Sequence, residues 1–207
     1  MVRLAAFILV LSIPVSAAGP AAMPPSFEGM LNAIHLQVRQ TRAAQVQEKS
    51  KAEIERLSWD VSRLNSDLWQ LRNDLRDIAR RVQRRGPSQP GRPDQDPFLR
   101  NDIQRLVWNL RDMARFADRA ERDVQRLISQ ASKDPEQVQP AQNLLSEAQR
   151  MSSETRWLES DGRNVGWDLR RAGYNMEAWD VERESGGIAT GARNLENASR
   201  ALLEKVR

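Results

Sequence analysis

The sequence predicts an all-α protein, an elongated antiparallel helical bundle built as coiled-coil hairpins of four to five helices. The first observation behind this is the stretch from Ile54 to Val82. Its apolar residues, Ile54, Leu57, Val61, Leu64, Leu68, Leu71, Leu75, Ile78 and Val82, recur at alternating steps of three and four, the a/d pattern of a heptad. The second is that Leu99, Ile103, Leu106, Leu110, Met113, Ala117, Ala120, Val124, Leu127 and Ala131 repeat the pattern without a break. The third is that the two stretches match each other at a spacing of 35 residues, five whole heptads. Leu75-Arg76-Asp77-Ile78-Ala79-Arg80 falls on Leu110-Arg111-Asp112-Met113-Ala114-Arg115, as an old duplication of one helix would leave it. Seams of this kind can be hidden only against other helices.

The opening of the 207-residue chain stands apart from this pattern. Arg3, the apolar run Leu4–Val15 and the small residues Val15-Ser16-Ala17-Ala18 read as a cleaved signal peptide over residues 1–18. An uncleaved anchor is the alternative, but the run falls short of the ~20 residues a spanning helix needs. Residues 19–25 form a Pro/Ala/Gly linker, and 26–207 are expected to be a single helical-bundle domain, periplasmic or extracellular. There is no cysteine, hence no disulfide, thiolate site or lipid-modified cysteine. The pI near 10.1 hints at nucleic acid. However, 32 basic residues face 28 acidic ones, interleaved along the helices as on a solvated, ion-paired surface. No nucleic-acid partner is expected.

Taken in order, Ser26 can cap a first helix, about 26–48, carrying Phe27, Leu31, Ile34 and Val38. Its phase does not match the later heptads, and Ser50-Lys51-Ala52-Glu53 resembles a capping box, so a second helix is predicted over about 51–85. A continuous helix with a phase slip is the other reading. Arg84-Arg85-Gly86-Pro87 reads as its stop, and 86–96 as a Pro-rich linker whose prolines suit a stiff spacer. Asp96-Pro97 opens a third helix over about 97–131, the antiparallel partner of 51–85. Ser132-Lys133-Asp134-Pro135 is a short turn into a fourth, about 136–184. Its frame runs through Leu144, Met151, Leu158, Gly162, Val165 and Leu169 to Met176 and Trp179, with strain expected near 162–166. Glu184-Ser185-Gly186-Gly187 interrupts the pattern, and a last helix of about 188–206 carries Ile188, Ala192, Leu195, Leu202 and Val206.

The tryptophans are the sharpest functional signal, six of them beside one tyrosine and four phenylalanines. Trp59, Trp108 and Trp167 fall on position f, opposite the seam, and Trp69 and Trp157 on b and c; only Trp179 falls on a seam. Arginines stand about a turn away: Arg63 from Trp59, Arg72 from Trp69, Arg111 from Trp108, Arg163 and Arg171 from Trp167. Two readings are open. Either the first or last helix covers these indoles, or they form an exposed aromatic-plus-arginine interaction face.

No catalytic motif is present: neither a nucleophile elbow, a zinc-binding His pair, a phosphate-cradling glycine loop nor a calcium loop. His35 is the lone histidine, too little for a metal or heme site, so no cofactor and no metal are expected. The carboxylates alternate with arginines and none is set apart as acid or base. The sequence therefore predicts an exported, non-catalytic coiled-coil interaction or scaffold protein that binds protein partners along helical surfaces, with a homodimer through the seams as one mode. An extracytoplasmic chaperone or stress-sensor module holding apolar clients is the alternative. A binder of lipid or cell-wall polymer is a second alternative.

Overall fold

The computed structural model of the chain describes residues 27–85 and 97–207, and four helices span them: α1 (Phe27–Arg85), α2 (Pro97–Gln130), α3 (Pro135–Arg171) and α4 (Asn175–Val206). The expected signal peptide and both linkers lie outside the described residues. The chain divides after Arg42 into two compact units. In the first, the described part is the opening of α1, where residues 35–41, Leu36 and Val38 among them, are exposed.

The second unit is an all-α bundle. All nine heptad positions from Ile54 to Val82 are buried, with Val61, Leu68 and Leu75 wholly so. The same holds from Leu99 to Leu127 on α2, where Ile103, Leu110, Ala117 and Val124 are fully enclosed. Burying each such Leu, Ile or Val side chain contributes about 1.5–3 kcal/mol. Positions matched by the 35-residue repeat also match in burial: Leu75 and Leu110 are both 0% exposed, Ile78 and Met113 both 5%.

Cross-helix contacts give the order of the bundle. Arg81 bridges to Asp102 and Glu53 to Arg126, so α1 and α2 run antiparallel. Lys51 meets Glu136, Arg72 meets Glu154 and Gln83 meets Asp168, so α1 and α3 run parallel. Arg100 meets Glu177 and Arg111 meets Glu184, so α2 and α4 are parallel too. Gly162 lies against Ser185 and Gly166 against Glu182, which makes α3 and α4 antiparallel. These four helix pairings order the bundle α1–α2–α4–α3 around one core. At one end, the Asp134 side chain caps α3 by accepting from the Glu136 N–H at 3.0 Å, while its own N–H donates to the Val206 carbonyl at 3.0 Å. The start of α3 is thereby fastened to the end of α4.

Three predicted boundaries need correction. The separate helices 26–48 and 51–85 are one, α1. Ser50 does not cap; its hydroxyl donates to the Val46 carbonyl at 3.0 Å, four residues back inside the helix. The run 41–51 holds neither glycine nor proline and is rich in strong helix formers, so helix propagates through it. Residues 44–49 are exposed, so no neighbour holds the apolar phase there, and it slips without breaking the helix.

The predicted helix 136–184 instead ends at Arg171. Gly173, at φ 90°, takes the left-handed position after it, and the Tyr174 N–H donates to the Leu169 carbonyl at 2.9 Å. This is a Schellman stop, and only glycine enters that region without cost. Conversely, α4 runs unbroken through Ser185-Gly186-Gly187, where a boundary was expected before 188. Ile188, Ala192 and Leu195 continue the buried stripe of Ala178, Val181 and Ser185, and this packing carries the helix across the two glycines. The turn at 172–174 resets the seam, so Met176 and Trp179, predicted to face the core, are 80% and 57% exposed.

Candidate interaction surface

An outward position on a bundle helix should leave a side chain in water unless another layer covers it. All six tryptophans stand in water: exposure runs from 56% at Trp167 to 66% at Trp69. Within the second unit no helix, α4 included, covers them. Phe98 and Met176 are still more exposed, and Phe116 is half exposed.

Six of the ten residues predicted for the interaction face form three of the expected stacks. Arg63 lies over Trp59 at 5.9 Å, Arg111 over Trp108 at 6.0 Å, and Arg171 over Trp167 at 4.6 Å. Two arginines are drawn elsewhere. Arg72, beside Trp69, turns inward to Glu154 at 3.0 Å and Asp161 at 3.4 Å, because a half-buried guanidinium gains more from carboxylates than from an indole rim. Arg163, beside Trp167, pairs with Glu159. Sequence reasoning missed two stacks, Arg183 over Trp179 at 4.6 Å and Arg119 over Phe116 at 5.4 Å. Both have the i,i+3 or i,i+4 spacing of the others; the apparent seam position of Trp179 hid the first, and a reading confined to indoles hid the second. A hydrogen bond from Arg183 to Glu184 raises the guanidinium's already high pKa, so this cation stays charged.

The tryptophans do not gather on one face; five of the six stand within three residues of an interhelical ion pair. Trp69 stands three residues before Arg72, and Trp157 three after Glu154, its partner across the α1/α3 edge. Trp167 stands three before Arg170, and Trp179 three before Glu182, which Arg170 meets across the α3/α4 edge. Trp108 stands three before Arg111, bound to Glu184 across the α2/α4 edge. An interhelical ion pair flanked by indoles is the repeated unit. Trp157 shares its edge with Trp69 without a stacked arginine of the predicted set.

Two edges open into grooves. Along α2/α4 a groove of 670 Å³ is walled by Val107, Trp108 and Met176, with Arg100, Asn175 and Asp180 among its polar lining. Along α1/α2 lie two narrower openings of 240 and 170 Å³ that share Asp74 and Asn109. Among the described residues no three His, Asp or Glu side chains are placed to hold a metal ion, and His35 is exposed. No described helix is long and apolar enough to cross a membrane.

No known family model matches this chain, and no match emerges from the curated proteins or from the solved structures.

Proposed function

We propose that this chain is an exported, non-catalytic interaction protein that binds a protein partner along the outer edges of its helices. One observation carries the reading: with the seams enclosed by the chain's own helices, all six tryptophans still stand more than half exposed. Large indoles left in water, paired with arginine, are the residue types that dominate protein–protein hot spots. A homodimer would use these outward edges, since the seams are already filled.

The test is site-directed photocross-linking in the producing cell, with a photoreactive phenylalanine in place of Trp108 or Trp167. A discrete adduct at these sites, and none at the exposed control Gln139, is the expected result. Adducts at no site, or equally at all, contradict the proposal, as does turnover of any substrate class by the purified chain. The α2/α4 groove favours a second reading, a chaperone or stress-sensor module, because Trp108 and Met176 offer an apolar client a wall. Suppression of client aggregation at equal stoichiometry, lost on Trp108→Ala, would select it.

A further inference from the structure

The two ends of the bundle differ in what they expose. At one end α1 and α3 finish and α2 and α4 begin, tied together by Arg81–Asp102, Gln83–Asp168 and Arg100–Glu177. Phe98, Trp167, Met176 and Trp179 each lie within five residues of a helix terminus there, and each is more than half exposed. At the other end, the stretches 50–54, 126–130, 135–139 and 202–206 expose no large apolar side chain. Charge divides the ends in the same sense. The last five residues of α1 and α3 and the first five of α2 and α4 hold six arginines and two carboxylates. The four stretches at the other end hold three basic residues and three acidic ones. Arg84 and Arg171 meet no carboxylate among the described residues. Arginines at a helix C-terminus offset the helix dipole, but that gives no reason for bare indoles beside them. Apolar side chains scattered singly over a surface mean little; four gathered at one end mark a contact site.

We propose that this end of the bundle docks on the surface of an anionic lipid membrane. The order of the side chains along the bundle axis favours lipid. Phe98 and Met176 lie at the tip, each the second residue of its helix. Trp167 and Trp179 stand about a turn farther in, with Arg171 over one indole and Arg183 over the other, both at 4.6 Å. A lipid interface asks for that layering: apolar groups at the acyl boundary, indoles at the headgroups, and guanidiniums reaching phosphate beside them. The four apolar side chains stand on three helices around the end, so no single groove collects them. A plane into which the end sinks meets them together. The excess of arginine draws the end to anionic lipid, and the apolar tip holds it there. Docking is peripheral, since no described helix is long and apolar enough to cross a membrane. This goes beyond the protein-partner reading and does not depend on it.

The experiment is co-sedimentation of the purified chain with vesicles of phosphatidylcholine and phosphatidylglycerol, against phosphatidylcholine alone. The anionic vesicles are expected to carry the chain down, less of it at high salt, and the neutral ones far less. Residues 1–18 hold an apolar run of their own, so the deciding readouts belong to this end of the bundle. With brominated acyl chains in the anionic vesicles, the quenched part of the tryptophan emission falls on Trp167→Phe and on Trp179→Phe. Trp59→Phe leaves it unchanged, because that indole lies about 39 Å back along α1 from Arg85. Met176→Ser with Trp179→Ser weakens binding about tenfold, and Arg84→Gln about fivefold. These side chains are exposed, so the variants keep the parent's melting temperature. The proposal is overturned if the anionic vesicles do not bind, if bromine quenching ignores Trp167→Phe and Trp179→Phe, or if the Ser and Gln variants bind as the parent does. A photoreactive phenylalanine in place of Met176 that gives a discrete protein adduct in the cell, with no bromine quenching, assigns this end to a protein partner and overturns it too. Cross-links at Trp108 stand or fall separately, so the two failures are distinguishable.

Discussion

The two hairpins of this bundle solve the same packing problem with different residues. Between α1 and α2 every seam position from Ile54 to Val82 is Leu, Ile or Val, facing Leu99, Ile103, Leu106 and Leu110. On α3 and α4 the buried positions include Ala141, Ala148, Thr155, Gly162, Gly166, Ser185, Ala192 and Ser199. Branched side chains hold helices apart and interdigitate; small ones let backbones approach. A Cβ built on Gly162 would sit 2.2 Å from the Ser185 hydroxyl oxygen, closer than packed atoms come. The first hairpin is stabilised by apolar volume and the second by close approach. The second also buries hydroxyls: Ser152 Oγ and Ser199 Oγ lack hydrogen-bond partners. Each such group costs about 1–3 kcal/mol; the first hairpin carries one as well, the buried Asn65 Oδ1 on α1, but no buried unpaired hydroxyl among the described residues.

Substitutions can break this contrast. The largest effect is expected in the first hairpin, where Leu68→Ala or Leu110→Ala, each at a fully buried site, should cost about 2–5 kcal/mol in denaturant unfolding. Next comes Gly162→Ala, which should cost about 1–3 kcal/mol by overpacking against Ser185. Pairing it with Ser185→Gly should recover much of that loss, and strictly additive losses in the double-mutant cycle would mean that the helices are not in close contact there. A smaller loss of about 1 kcal/mol is expected for Gly173→Ala, since alanine resists φ 90°. The smallest effect has the opposite sign. Gly186 has nothing within 4 Å of an added Cβ, so Gly186→Ala should raise stability by about 0.5–1 kcal/mol. If Gly162→Ala and Gly186→Ala behaved alike, the contrast between a packed and an open glycine would fail.

The same contrast decides what is legible in the sequence. In α1 every a/d residue is large, and α2, though it includes Ala117 and Ala120, keeps the three-four alternation unbroken, so register, burial and pairing follow from the heptad pattern. In α3 and α4 alanine, glycine, serine and threonine occupy the seam, and periodicity does not say which glycine bends the chain. Gly186-Gly187 resembles a break and is helix; Gly173 resembles a seam neighbour and is the turn. The informative signal is Arg170-Arg171 before Gly173, the same cation-then-glycine stop that correctly ends α1 at Arg84-Arg85-Gly86. Of the candidate surface, the outward phase of five tryptophans follows from the heptad frame. Their exposure does not, because it depends on whether a further layer exists, and heptads are silent about that.

The proposed binding edges require that the indoles face water while the seams beneath them are closed. The most direct measurement is acrylamide quenching of tryptophan emission on the purified chain, repeated on single Trp→Phe variants at 59, 69, 108, 157, 167 and 179. A red-shifted emission, with each removal lowering the quenchable fraction, is the predicted result. A blue-shifted emission that resists quenching, unchanged by the substitutions, would mean that the tryptophans are enclosed, and the binding edges described above would not exist.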